Sequence, residues 1–490
     1  MFFTSTKLKS GKTCVALMLL LLAFFVSRAQ LVANNRLEIP VQSDYESFYI
    51  LPLDSSGLAL YRTYVAPKEN LIELQRLDTA FHQVWKGFLP FSKQYNFVTI
   101  RAYGNRIFIF FRPADTKKNN FNITVVNIQD GTYRSFVIEN LIRFDPSEYV
   151  VGKAGLLIAG YFNLRPLALF YSFDTQKAHM LSGFLNEPGE ITQIKTYPDG
   201  NTDIVISAKN NTRRKCLWIR RFDAAGEMIK TIVLEPGEKK NLIFGRAAKD
   251  VNDRQVVAGV YGQFSLFARG IFVAEINPDG AYVIHYYNFS ELKNFFHYLR
   301  PKKEMRIQNR IERRKVKGKK TKFNYRVLVD EVLPYKDQFI LVAEAYIPHY
   351  ASTPSGYSYI DGYQYTHAFT IGFDRNAKVQ WDNSIDMNDL KSGRIRPFVK
   401  LMRGQDDVEL LYINSNRLWS KVIRGNEVVR DKTPEVLSPA AIPALNLRNG
   451  QNSQLEYWYS NHLIAYGTQN IRTPDNAIRK VFFINKLTGY

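Results

Sequence analysis

The chain has 490 residues, 46% of them hydrophobic, with 34 Phe and 29 Tyr, and is therefore long and apolar enough to bury a large core. Its formal net charge is +21, but the N-terminal Lys7, Lys9, Lys12 and Arg28 supply +4, and residues 290–326 hold fourteen Lys or Arg against three Glu, or +11. Only +6 is left for the rest, which excludes a chain that is polycationic throughout.

The N-terminus has the pattern of a secretory signal peptide. Three lysines precede an apolar run over residues 14–26, and Ser27-Arg28-Ala29 forms a small-x-small cleavage site. The run is shorter than the roughly 20 residues that a membrane-spanning helix needs, so we expect residues 1–29 to be removed and no transmembrane segment to follow. Cys216 is then the only cysteine, which excludes an intramolecular disulfide. These features are typical of an exported bacterial protein that is periplasmic, attached to the outer envelope or secreted.

From residue 30 onward a short unit recurs, in which an apolar strand ends at a Phe-Asp or Ile-Asn turn. The first turns lie at Asp78, Gln129, Asp174, Asp223 and Asn277, with spacings of 51, 45, 49 and 54 residues. A repeat of about 40–50 residues with four strands is typical of a β-propeller blade. We therefore predict one all-β propeller domain over residues 30–490.

The number of blades is read from the number of turns. Further turns lie at Asp374, Arg424 and Asn485, which gives eight units, with seven as the alternative because the last two match weakly. Arg36 to Pro40 is the first strand-like segment, and we predict that it pairs with a late strand to close the ring. Closure of this kind removes the exposed strand edges of an open stack of sheets.

A basic insertion over residues 290–326 interrupts the pattern after the fifth repeat. The spacing of Leu292, Phe295, Phe296 and Leu299 predicts one helical face, and a basic amphipathic helix follows Pro301, before a Gly-broken Lys-rich stretch that is too charged to be helical. The candidate residues for an anionic partner are Arg306, Arg310, Arg313, Arg314, Lys315, Lys317, Lys319 and Lys320. Such a partner is a protein, an anionic glycan or a lipid surface, and export disfavours nucleic acid. The alternative is a solvated excursion without a ligand.

A Tyr-rich segment over residues 346–367 is the second candidate region, and the sequence predicts a long loop there. Tyrosine rings offer an apolar face and a hydroxyl group, which suits sugars and protein surfaces. The candidate ligand-contact residues are Tyr350, Tyr357, Tyr359 and Tyr363. The composition nevertheless favours an aromatic hairpin that packs on its own blade over a ligand-binding loop.

Motifs for catalysis, cofactors and metals are missing from the sequence. There is no Gly-x-Ser-x-Gly elbow, no phosphate-binding loop and no His-Glu-x-x-His, so we assign no catalytic residue, no metal and no cofactor. His349, His367 and Asp361 form a weak metal hypothesis, since ordinary loop histidines explain them as well. Glu275 and Glu344 lie within apolar strands, where a buried carboxylate is either paired or a candidate acid or base.

The sequence thus favours an exported non-catalytic propeller, a binding or assembly protein of the cell envelope, that contacts an anionic partner through residues 290–326. Two alternatives stay open. One is a carbohydrate-active enzyme, a glycoside hydrolase or lyase, with carboxylates in the propeller channel. The other is a sugar-binding module that uses the Tyr-rich segment at 346–367.

Overall fold

A computed structural model gives the architecture of the chain. It describes residues 32–65, 68–115, 118–139, 142–184, 188–249, 255–264, 266–415, 417–438 and 453–489; the predicted signal peptide at 1–29 lies outside these ranges. Within them the strands form eight antiparallel sheets arranged as the blades of a β-propeller. The prediction of eight blades is confirmed.

The first half of the ring comprises four blades, each with four strands in sequence order. Strand β1 (Val32–Pro40) belongs to the last blade. Blade 1 holds β2 (Tyr49–Pro52), β3 (Leu58–Val65), β4 (Asn70–Leu77) and β5 (Gln83–Phe91), and blade 2 holds β6 (Tyr95–Tyr103), β7 (Arg106–Pro113), β8 (Phe121–Asn127) and β9 (Tyr133–Ile138). Blade 3 holds β10 (Asp145–Val151), β11 (Gly155–Phe162), β12 (Arg165–Ser172) and β13 (Ala178–Met180), and blade 4 holds β14 (Gly189–Thr196), β15 (Thr202–Lys209), β16 (Lys215–Phe222) and β17 (Met228–Leu234).

The second half carries the insertion and the closure. Blade 5 holds β18 (Asn241–Lys249), β19 (Gln255–Gly262), β20 (Gly270–Ile276) and β21 (Tyr282–Asn288), and blade 6 holds β22 (Arg326–Tyr335), β23 (Gln338–Ser352), β24 (Ser358–Asp374), β25 (Val379–Asp386) and the short β26 (Lys391–Ser392) beside β24. Blade 7 holds β27 (Lys400–Arg403), β28 (Val408–Asn414), β29 (Arg417–Arg424) and β30 (Glu427–Val436), and blade 8 holds β31 (Ser453–Tyr457), β32 (His462–Arg472), β33 (Ile478–Thr488) and β1.

The ring closes as predicted, through a strand from each end of the described chain. Strand β1 pairs antiparallel with β33, with Leu37 opposite Ile484 and Ile39 opposite Phe482. Blade 8 therefore takes three strands from the end of the sequence and its outer strand from the beginning. The pairing satisfies backbone groups on both strands that an open ring would leave at an edge.

The recurring turn lies between the third and fourth strands of a blade. In blade 1 the Asp78 side chain accepts the backbone N–H groups of Ala80 and His82, both at 2.8 Å. Asp223 and Asp374 accept equivalent bonds in blades 4 and 6. Aspartate recurs at this position because its short side chain supplies the acceptor that the turn needs.

The core lies between neighbouring blades, on the second and third strands. Residues along β19, β20 and β28 are buried at nearly every position, as expected of strands that are covered on both faces. Free Cys216 is buried on β16, and burial raises the pKa of its thiol to about 11. It is a core residue and not a reactive thiol.

Candidate functional site

The basic insertion and the Tyr-rich segment lie on the same face of the ring. Residues 289–325 connect the fourth strand of blade 5 to the first strand of blade 6, and residues 353–357 connect the second and third strands of blade 6. In an antiparallel four-stranded blade these two kinds of connection emerge at the same end. We call this end of the ring the insert face.

The first part of the insertion is docked and is not the single helix that the spacing predicts. It forms two 3-10 turns, Phe289–Glu291 and Phe295–Tyr298, which bury Phe289, Phe295 and Phe296. Leu292 is also buried, whereas Leu299 is only partly buried. The apolar residues were identified correctly, but they pack in an aromatic cluster of blades 5 and 6 whose shape does not need helical spacing.

A buried carboxylate anchors this part of the insertion. Asp382 on β25 accepts the backbone N–H groups of Lys293 and Asn294, both at 2.8 Å. The Asn294 amide donates in turn to the backbone carbonyls of Asp382 and Asn426, at 2.9 and 3.1 Å. The insertion therefore has a fixed position against blades 6 and 7.

The predicted basic helix is α1 (Pro301–Val316), with Pro301 in its first turn. Ile311 is buried and Ile307 packs against the same core, so this side of the helix faces the blades. Beyond Val316 the chain leaves the helix, as the Gly-broken sequence predicts. No helix in the described ranges is long and apolar enough to cross a membrane.

The structure brings the eight candidate cations together on α1 and the turn that follows it. Arg306, Arg310, Arg313, Lys315, Lys317 and Lys319 are exposed, and Arg314 is partly buried. Lys320 forms an ion pair with Glu291 at 2.7 Å, which ties the turn back to the first part of the insertion. The cations are thus displayed on a docked helix.

The Tyr-rich segment is a β-hairpin, as the favoured interpretation of the sequence has it, and not a long loop. Strands β23 and β24 pair over their full lengths, from Gln338 opposite Asp374 to Ser352 opposite Ser358. Backbone pairing therefore continues beyond the blade and satisfies groups that a loop would leave to water.

The four candidate tyrosines lie at different places on this hairpin. Tyr357 at the tip is 76% exposed, and Tyr350 and Tyr359 are 59% and 52% exposed. Tyr363 is partly buried and makes an edge contact with Tyr346, with the ring centroids 5.7 Å apart. The four do not form one surface, and only Tyr350 lines a cavity described here.

That cavity is a cleft of about 710 Å³ between the insertion and the hairpin. Its side chains are aromatic, apolar, amide, hydroxyl or cationic, and no described lining residue is a carboxylate. They are Phe267, Tyr298, Leu299, Arg300, Lys303, Asn324, Tyr325, Arg326, Tyr346, Ile347, Pro348, Tyr350, Thr366 and Asn388. Apart from Tyr350, none was a candidate from sequence, because the cleft exists only where the two excursions meet.

The proposed histidine pair is separated in the structure. His349 contacts Asp361 across the exposed hairpin at 2.5 Å. His367 is fully buried, its ring stacked on Tyr298 with 3.6 Å between centroids, and burial lowers its pKa to about 3. The described residues contain no group of three His, Cys, Asp or Glu arranged for a metal.

The two strand glutamates do not lie on innermost strands. Glu275 is on β20, the third strand of blade 5. Glu344 is on β23, where its carboxyl is buried and accepts the backbone N–H groups of Phe398 and Val399, both at 2.7 Å. Glu344 therefore fixes the connection into blade 7.

We expect Glu344 to make the protein less stable as pH rises. Burial raises its pKa from 4.5 to about 8, so the folded state keeps a proton that the unfolded chain releases. The stability that this proton contributes is complete below pH 4.5 and is lost, at up to about 1.4 kcal/mol per pH unit, between pH 4.5 and 8. The measurement is the free energy of unfolding in urea of Glu344→Gln and of wild type at pH 5, 6.5 and 8. The variant should become more stable relative to wild type with each rise in pH. A constant difference would contradict it.

The channel is lined by the first strand of each blade. These strands lie at one edge of every sheet, and neighbouring ones contact each other, as β2 does β6 and β18 does β22. Charged side chains occupy them, among which Arg101 and Glu148 are exposed and Arg246 is partly buried. Arg246 on blade 5 interacts electrostatically with Glu148 on blade 3 as well as with Asp330 on blade 6. Because only blade 4 separates blades 3 and 5, these charges lie along the same stretch of the lining.

Asp330 and Glu331 are adjacent carboxylates on β22 in this lining. Burial, and then the neighbouring Glu331, raises the pKa of Asp330 to about 6. Tyr457 donates to Glu331 at 3.1 Å, and Lys400 pairs with Glu456 at 3.2 Å. This ring of ionisable groups was missed from sequence; the signal was a charged pair, Asp330-Glu331, inside an otherwise apolar first strand.

A bulge explains why both carboxylates face the same region. Val329 and Glu331 face consecutive residues of β23, so Asp330 is an extra residue in the strand. Strands β6, β10, β14 and β18 carry the same kind of irregularity within the described ranges. A bulge breaks the alternation of a strand and redirects side chains, here toward the channel.

Comparison with known proteins gives similarity of fold only. No family model and no curated protein sequence matches this chain. Among solved structures, the polysaccharide lyase Uly1 is similar over 94% of this chain and 100% of its own, at 9% identity and a TM-score of 0.40. The Dos1 propeller covers 81% of this chain and 92% of its own, at 11% identity and a TM-score of 0.39. The β-propeller domain of the Trilobed protease from Pyrococcus furiosus covers 80% and 94%, at 11% identity and a TM-score of 0.36.

Proposed function

We propose that this chain is an exported β-propeller of the cell envelope that binds an anionic partner on its insert face and does not catalyse a reaction on it. Export rests on the signal-peptide pattern of residues 1–29, and the absence of a recognisable catalytic motif supports a binding role. The partner is identified by charge: fourteen cations against three carboxylates in residues 290–326.

The observation that carries the proposal is that the charged insertion is docked. Phe295, Phe296 and Ile311 are buried, and Asp382 holds the backbone at Lys293 and Asn294. A solvated excursion would not bury these side chains. Because the cations lie on a helix of fixed position, the insertion loses less conformational entropy when it binds a partner than a flexible tail would lose.

We expect neutralisation of the insertion to abolish retention on an anionic polymer. The variant replaces Arg310, Arg313, Arg314, Lys315, Lys317, Lys319 and Lys320 with Gln. It should stay folded because surface changes shift stability by under about 0.5 kcal/mol. Wild-type retention should weaken steeply with salt, since charges are screened within about 10 Å at 0.1 M. The measurement is retention on heparin and dextran sulfate, together with the melting temperature. If wild type binds neither at low salt, the proposal is wrong.

A carbohydrate-active enzyme is the second candidate, and the channel is the observation that favours it. Asp330 with a raised pKa beside Glu331 pairs two carboxyl groups in different environments, the arrangement that acid–base catalysis uses. The variant Asp330→Asn with Glu331→Gln is the matched control in the retention experiment. If the protein only binds its partner, this variant should bind like wild type. If the protein is an enzyme, wild type and the neutralised insertion variant should cleave an anionic polysaccharide, and only the Asp330→Asn with Glu331→Gln variant should lose this activity.

A further inference from the structure

We propose that the cleft between the insertion and the hairpin binds an acidic sugar, as a short stretch of a carboxylated or sulfated polysaccharide. This inference rests on the proposed function, which supplies an anionic partner, and it names the class of that partner and the place of contact. The cleft volume of about 710 Å³ falls within the range of small-ligand sites, roughly 300–1,000 Å³.

The floor of the cleft consists of aromatic rings that are held in place from behind. Tyr298 stacks on buried His367, and its hydroxyl meets that of Tyr325 at 3.0 Å. Tyr325 makes edge contacts with Phe289 and Phe295, at 5.3 and 5.4 Å between centroids. Rings that are fixed before a ligand arrives give up little entropy on binding, and their faces suit the C–H face of a sugar.

The walls supply the charge and further aromatic surface. Arg300 and Lys303 stand on the insertion side, and Arg326 lies over the ring of Phe267, 5.4 Å from its centroid. Tyr350 extends the aromatic surface on the hairpin side and is 59% exposed. Three cations among the lining residues, without a described carboxylate, select an anion, and Arg can hold a carboxylate or sulfate through two parallel hydrogen bonds.

The shape of the cleft argues for a polysaccharide and against a membrane. It is concave and lies between two projecting elements, whereas a lipid surface needs an apolar face that it can reach. Arg300, Lys303 and Tyr350 of its lining are exposed, so a polymer can reach them from solvent.

The test measures the affinity of the full mature chain for defined probes by calorimetry. Probes are polygalacturonate for carboxylates, dextran sulfate for sulfates, neutral dextran, a single-stranded dT oligonucleotide, and vesicles of anionic phospholipid. Tyr350→Ala and Arg300→Gln should each weaken binding of at least one acidic polysaccharide about tenfold. The matched controls Tyr357→Ala and Arg134→Gln, exposed residues of the same types that lie outside both the cleft and the insertion, should stay within about twofold.

Each outcome decides one of the two proposals. Loss in the cleft variants alone, with no binding of neutral dextran, supports the acidic-sugar site, and the better polymer distinguishes carboxylate from sulfate. Equal binding by cleft variants and wild type refutes the site but keeps the proposed function. Cleft-dependent binding of vesicles or oligonucleotide alone refutes the sugar as ligand. Failure of every anionic probe refutes both.

Discussion

Deletion of residues 478–490 is expected to convert the protein into an aggregating species. These residues include β33, which pairs with β32 on one side and β1 on the other, so its removal leaves two strand edges without partners. It also removes buried Phe482, Phe483 and Ile484 from blade 8. Unpaired edges and exposed apolar side chains both promote association. Size-exclusion chromatography and the melting temperature of any soluble fraction measure the effect.

A second truncation is the control for this experiment. Replacing the hairpin turn at Thr353–Tyr357 with Asn-Gly shortens an exposed part of the chain and touches no blade contact. This variant should be soluble and monodisperse like wild type, with an unchanged melting temperature. If the C-terminal deletion behaves in the same way, the ring does not depend on the pairing of β1 with β33.

Removal of one partner from the buried Asp203–Arg221 ion pair should destabilise the protein by about 3–5 kcal/mol. Arg221 donates to both carboxylate oxygens of Asp203, at 2.7 and 2.9 Å, and Tyr197 and Gln255 donate to the same carboxylate. Asp203 is fully buried. The variant Arg221→Met leaves the negative charge of Asp203 buried without the guanidinium that pairs with it. Urea unfolding measures the change in the free energy of unfolding.

The matched control is a similar pair on the surface. Arg424 donates to both oxygens of Asp407, at 2.7 and 3.3 Å, but the Arg424 side chain is 50% exposed. Arg424→Met should leave the denaturation midpoint nearly unchanged, because water solvates the charge that is left. The double variant Asp203→Asn with Arg221→Met should lose less than Arg221→Met alone. Equal losses for Arg221→Met and Arg424→Met would contradict the role of burial.

The fold could be predicted because its signals are local. The turn at Asp78 and its equivalents recurs at the blade period, and the side-chain acceptor it needs is visible in the sequence. The insertion could be located for the same reason, since its charge departs from the repeat. The sequence favoured a hairpin for the Tyr-rich segment but left a long loop open, because Ser, Gly and Pro are frequent in it. Its pairing is set by the continuation of two blade strands, which composition does not report.

The sequence by itself determined the repeat and the position of the basic segment, because each depends on residues close together in the chain. It predicted eight blades with seven as the alternative, and it predicted the closing strand from the need to pair the edges of the ring. The tertiary structure alone decided which distant residues meet. Tyr298, Arg326 and Tyr350 share a cleft because two separate connections emerge on one face. Arg246 interacts electrostatically with Glu148 and Asp330 because all three occupy the first strands of their blades. The packing of blades around the ring produces these contacts, and no spacing along the chain specifies which side chains it brings together.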